Sequence, residues 1–170
     1  AYINYGGAIP FWSITHILSL GKISKIYSNI LEERCMEISI DFMLQPSQLQ
    51  SYLENLTWFR NICAHNGKLY CFKTLNPIKT RNLRKLYEIL NVEFNYKSMG
   101  YSKGVRDYLS LIIILKLILD NDDFVDYINQ LIRELNILKI KMPQKQYNYV
   151  IEIMGLNGDW FNILRYIHNK

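Results

Sequence analysis

The stretch 46–67, PSQLQSYLENLTWFRNICAHNG, decides how this chain is read. After Gln45-Pro46, the apolar residues Leu49, Leu53, Leu56, Phe59 and Cys63 recur at three- and four-residue spacing. That spacing predicts one buried stripe on a helix from about Ser47. Asn66-Gly67 supplies the stop, because both residues tolerate the left-handed backbone on which helices often end. The same stretch closes on Arg60-Asn61-Ile62-Cys63-Ala64-His65. On a helix, Asn61 and His65 are four apart and share a face, with Arg60 one step round. A guanidinium can hold a phosphate, and an imidazole can move protons near neutral pH. RNA brings its own nucleophile, the 2′-OH, so a base, an acid and charge stabilisation suffice, without metal or cofactor. Arg60, Asn61 and His65 are therefore the candidate catalytic residues. The spacing alone equally fits structural arginine and histidine contacts at a helix end.

Working outward, the pattern stays helical. Pro10 opens an expected first helix over 11–20, stopped at Gly21. A second is expected from about Lys22 to Cys35 or beyond, with Ile23, Ile26, Tyr27, Ile30 and Leu31 at helical spacing. Residues 36–44 are apolar without clear period. Beyond the motif, helices are expected near 78–90, over 104–119 and over 123–139, with another opened by Pro143 and a last one over Trp160–His168. Residues 91–103, with Met99-Gly100, read as a loop. The expectation is one all-α helical bundle of about seven to eight helices. Its most apolar run, Leu109–Leu119, is broken by Lys116 and too short to span a bilayer, so no membrane is expected.

Charge points to a polyanion. Of 20 basic and 15 acidic residues, the segment 66–116 holds ten basic and three acidic, whereas the flanking segments are nearly balanced. The positive excess thus follows directly on the arginine–histidine motif. A basic surface beside a phosphate site fits an RNA partner, with Lys68, Lys73, Lys79, Arg81, Arg84 and Lys85 as candidate contacts. A solvated lysine-rich face gives the same count. Asp120, Asp122, Asp123 and Asp126 are read as caps at a helix start rather than as a cation site. Three cysteines, with no CxxC pair and no signal peptide, indicate neither zinc nor a disulfide framework. The expected setting is a reducing cytoplasm.

Arg60-Asn61-Ile62-Cys63-Ala64-His65 resembles the RN-x-CAH signature of the Abi-like abortive-infection family (the AbiD/AbiF group), part of the HEPN superfamily. Pro10-x-Trp12 and the run Leu18 to Tyr27 are similar to that family's P-x-W…LSFG-x-LS-x-LY segment. Leu69-Tyr70 and Met154-Gly155-Leu156…Trp160 are similar to its later motifs, and the likeness is strongest over 10–72. The resemblance implies a HEPN-like bundle and a metal-independent endoribonuclease acting in phage defence. It implies dimerisation through the motif face, so that two motifs share one cleft, and restraint by a small-RNA or protein antitoxin. This sequence departs from the family at His16, where a glutamate is usual, at Lys68 for arginine and at Leu20 for phenylalanine. His16 is accordingly the candidate accessory group. The alternative is a catalytically weak or inactive HEPN module that binds RNA or a regulator. Because the chain opens on Ala1-Tyr2-Ile3, residues 1–170 are expected to be a single HEPN-like domain lacking an N-terminal portion.

Overall fold

The computed structural model describes residues 18–81, 83–95, 100–156 and 164. The helix expected over 11–20, apart from its last residues, lies outside these, together with Trp12 and His16. So does the helix expected over 160–168, apart from Leu164. The described residues form an all-α bundle of seven α-helices: α1 (Leu20–Tyr27), α2 (Glu32–Asp41), α3 (Pro46–Ala64), α4 (Arg84–Ile89), α5 (Tyr108–Ile118), α6 (Asn121–Lys141) and α7 (Gln144–Ile153). A 3-10 turn at Leu69–Cys71 follows the motif.

Two expected boundaries move for local reasons. The helix expected over 22–35 breaks into α1 and α2, because side chains compete for its backbone. The Ser28 hydroxyl and the Asn29 amide both donate to the Lys25 carbonyl, at 2.9 and 2.7 Å, ending the helix there. The Tyr27 hydroxyl then ties the corner together by donating to the carbonyls of Cys35 and Pro46. The helix expected over 78–90 shortens to α4, because residues 78–81 are claimed by other partners. Ile78 N–H donates to Val105 O at 2.8 Å, and the Lys79 and Arg81 carbonyls accept from Tyr52 and Gln48 of α3. Within the expected loop 91–103, Phe94–Asn95 (β1) and Gly100–Tyr101 (β2) pair antiparallel. Tyr101 stacks on Tyr87 with ring centroids 3.9 Å apart.

The helix starts follow ordinary chemistry. Gln45 and Gln48 form a reciprocal capping box ahead of α3, with Pro46 at its first position. Asp122 and Asp123 sit in the first turn of α6, where the helix dipole favours negative charge, whereas Asp120 at the N-cap makes no side-chain capping bond. Among the described residues no group of histidine, cysteine or acidic side chains could hold a metal ion.

Helix ends share one device. After α2, α3, α4 and α7 the chain turns on a left-handed residue, respectively Met43, Asn66, Asn91 and Gly155. In each case the N–H of that residue and the N–H of the next one reach back to carbonyls of the last turns, the Schellman arrangement. Asparagine and glycine suit that backbone, whereas Met43, at φ 53° and 96% exposed, does not. Met43→Gly is expected to stabilise the fold by about 1 kcal/mol. A thermal melt should show this as a rise of roughly 2–4 °C.

The core is built around α5. Leu109, Ile112, Ile113 and Ile114 are fully buried there, and α5 packs on α3 and α6. Tyr52, Tyr87 and Tyr108 join this core by burying the ring and satisfying the hydroxyl. Tyr52 donates to Lys79 O, Tyr87 to Gly104 O, and the Tyr108 and Tyr127 hydroxyls bond each other at 2.9 Å. Burial pushes the Tyr52 phenol up to about 12.

Asp107 caps α5 from a buried position. Its carboxylate accepts the Gly104 N–H at 3.0 Å and the Ser110 N–H at 3.3 Å. Desolvation holds its pKa above the ordinary carboxylate value, against the lowering effect of those N–H donors. A carboxyl group raised in this way favours folding when protonated. That contribution is complete below the ordinary carboxylate range and is lost as pH rises through the raised value. Asp107→Asn removes the titration while keeping an acceptor oxygen. Denaturant melts from pH 7 down to pH 3 should therefore show wild type gaining on the variant as pH falls.

Candidate functional site

The motif lies at the C-terminal end of α3. Gln48, Leu49, Ser51, Tyr52, Asn55 and Phe59 form the buried face of this helix. Phe59, 2% exposed, is its last buried residue and meets Phe72 edge-on at 5.7 Å. Tyr52 thus takes a core position that the simple stripe leaves out, while Leu53 and Leu56 are half-buried. Cys63, expected on the buried stripe, is exposed, because the last turn of α3 runs past the core.

Arg60, Cys63, Ala64, His65, Asn66 and Gly67 are all exposed, and Asn61 is half-buried. Arg60 Nη1 donates to Asn61 Oδ1 at 3.2 Å. His65 is the C-cap residue, and its own N–H donates to Asn61 O at 3.1 Å. The turn beneath is closed by Asn66, at φ 53°, and by Gly67 N–H donating to Ile62 O at 2.8 Å. Gly67 is needed for close approach, since a Cβ there would sit 2.7 Å from Ile62 Cγ2. The Schellman turn therefore fixes where the backbone of His65 sits relative to Arg60 and Asn61.

One flank of this end is a groove between α1 and α3 with a volume of about 520 Å³. Lys22, Lys25 and Ser28 line it from α1, and Glu54, Thr57, Trp58 and Asn61 from α3. Gly21 lets the two helices meet, since a Cβ on it would lie 3.2 Å from Thr57 Cγ2. The segment around Leu18–Tyr27 thus packs against the helix that carries the motif. Lys22, Lys25, Glu54 and Trp58 were not among the candidates from sequence. Their signal was present, since Glu54, Thr57, Trp58 and Asn61 follow helical spacing on one face.

The candidate RNA-contacting cations are spread over several faces. Lys68 stands beside the motif, on a second groove that is mostly apolar and includes Tyr70, Tyr108, Leu138 and Met154. Lys73 lines a different hollow with Lys103 and Glu152. Lys79 and Arg81 lie against the opening turns of α3, where Lys79 N–H donates to Ser51 Oγ and Arg81 Nη1 to Gln45 Oε1. At 1.5 Å rise per residue, Gln45 and His65 are about 30 Å apart along the helix. Arg84 is paired with Glu88 at 2.9 Å, and Lys85 is exposed on α4. The structure brings Arg60, Asn61 and His65 together at one helix end with Lys68 just past it, and places the other five cations elsewhere.

Fold and site together define a class: an all-α protein that presents a guanidinium, an amide and an imidazole at one uncovered helix end. Comparison with known families bears on the N-terminal part of the chain. The family model described as Abi-like protein matches residues 1–71, which takes in α1, α2, the whole motif helix and the turn after it. Over those 71 residues, less than half of its length, the chain is similar to the Abi-like family, in line with the motif resemblance. No curated protein and no solved structure matches the chain. Among the described residues no helix is long and apolar enough to cross a membrane.

Proposed function

We propose that the protein is a metal-independent endoribonuclease of HEPN type acting in abortive infection. The observation that carries this reading is that exposed Arg60 and His65 share one capped helix end with half-buried Asn61, to which Arg60 is hydrogen-bonded. In the reaction, the 2′-OH of a nucleotide attacks its own 3′-phosphate. One imidazole takes the 2′-OH proton, and a second gives a proton to the departing 5′ oxygen. The products are a 2′,3′-cyclic phosphate and a 5′-hydroxyl. Arg60 is suited to the charge that develops on the phosphoryl oxygens, and Asn61 holds that guanidinium in place.

One histidine is hard pressed to act as acid and base in the same step. We therefore assign the second imidazole to His65 of a second copy, docked through the same face. A two-fold dimer would place two motifs in one cleft without further machinery. The test is cleavage of RNA by wild type and by His65→Ala in the presence of EDTA, with the cut ends identified. Binding of RNA by a demonstrated dimer that never cuts would instead favour the module reading, in which the site recognises RNA or a regulator without turnover. A small-RNA or protein antitoxin is the proposed restraint in either case.

A further inference from the structure

We propose that the groove between α1 and α3 is a subsite for one nucleotide of single-stranded RNA. The Trp58 indole stacks on the base, and Lys22 and Lys25 hold a flanking phosphate. The proposal rests on the ribonuclease reading for its substrate class and adds where a nucleotide beside the cut is held.

Several independent features meet in this groove. Its volume of about 520 Å³ lies within the roughly 300–1,000 Å³ usual for small-molecule sites. Trp58 is 41% exposed, while its neighbour Phe59 is buried in the core. An indole left at a groove wall beside cations is the combination that single-strand binders use, because every base has a face to stack. Lys22 and Lys25, three apart on α1, are exposed on one side of the groove. The ion pairs among the described residues are Arg34–Glu37 and Arg84–Glu88, and neither uses these lysines. The one carboxylate among the described lining residues, Glu54, accepts from Gln50 Nε2 at 3.3 Å and supplies an acceptor suited to a ribose hydroxyl or a base amino group. Asn61 completes the groove and is also the residue that Arg60 bonds. A strand seated here would therefore run directly from Trp58 to the candidate phosphate site.

The test measures binding apart from cutting. In a His65→Ala background, the anisotropy of a labelled short oligoribonucleotide reports its Kd. Adding Trp58→Ala should weaken binding about 10-fold or more, and Trp58→Phe should restore most of it, since a phenyl ring also stacks. Lys22→Gln with Lys25→Gln should reduce the slope of log K against log salt by about 0.7, the single-strand value for the one phosphate charge that the lysines no longer neutralise. Both lysines are exposed, so this second variant should melt like its parent. Trp58→Ala binding within about 2-fold of the parent, or an unchanged salt slope in the lysine variant, would overturn the proposal. Groove-dependent binding by a wild type that never cleaves would uphold the subsite while removing the ribonuclease reading. With His65 intact, cleavage that is indifferent to the Trp58 and lysine substitutions would do the reverse.

Discussion

His65→Ala is expected to reduce RNA cleavage by roughly 100- to 10,000-fold, the range over which a positioned general acid or base acts. If His65 serves as base in one copy and acid in the other, a single substitution removes both roles, so the loss should fall towards the upper end. Arg60→Ala should cost roughly 100- to 1,000-fold, comparable to losing one fixed donor to a developing oxyanion. Arg60→Lys should recover little of it. Lysine keeps the charge but loses the planar fork that can meet two phosphoryl oxygens and Asn61 together. Wild-type cleavage should persist in EDTA and leave 2′,3′-cyclic phosphate ends. Chelator-sensitive cutting, or a His65→Ala protein as active as wild type, would remove this mechanism. Both side chains are exposed, so the variants should melt like wild type and lost activity can be read as lost chemistry.

Gly155→Ala is expected to have the largest effect on stability. Gly155 sits at φ +82°, a region in which a Cβ is strained whatever the space around it. The space is also taken, since that Cβ would lie 2.5 Å from both Cγ and Oδ2 of Asp107. Asp107 cannot easily move aside without giving up the bonds by which its buried carboxylate caps α5. Relief would pull the end of α7 away from α5, where Leu109 N–H donates to Met154 O at 2.9 Å. A cost of about 3 kcal/mol follows from adding backbone strain to a steric conflict in the interior. For a chain of this size that corresponds to a melting temperature lower by roughly 6–12 °C. An unchanged melt would mean that the cradle around Asp107 is looser than it looks.

The sequence made the helical character legible, and the motif helix above all. Pro46 at the start, Asn66-Gly67 at the end and an apolar stripe between them agree in α3, so its span was readable nearly to the residue. Boundaries were lost where side chains or distant backbone outbid the helix. Ser28 and Asn29 cap α1 early, and residues 78–81 give their hydrogen-bonding groups to α3 and to Val105. Periodicity records apolar faces and contains no term for such competition. The candidate site divides in the same way. Arg60, Asn61 and His65 are local in sequence, so their shared position follows from helical geometry alone. The groove beside them needs α1 to fold back onto α3, and the role of Gly21 in that approach shows only once Thr57 is opposite. The basic stretch after the motif misleads as a unit, because contiguity in sequence is not contiguity on a surface. Lys68 stays near His65, while Lys79 and Arg81 are carried to the other end of the helix.

α3 is in mechanical terms a cantilever. Its first half is clamped by Gln48, Ser51 and Tyr52 to the chain at Lys79 and Arg81, and its last anchor is Phe59. From Arg60 to Gly67 no residue is buried, yet the turn at Asn66-Gly67 keeps the tip in a single shape. A site at the end of such a beam has its geometry set before anything arrives to cover it. What it lacks is dryness. Whatever settles over the tip, a substrate strand or a second chain, contributes by expelling water and strengthening charges already in position.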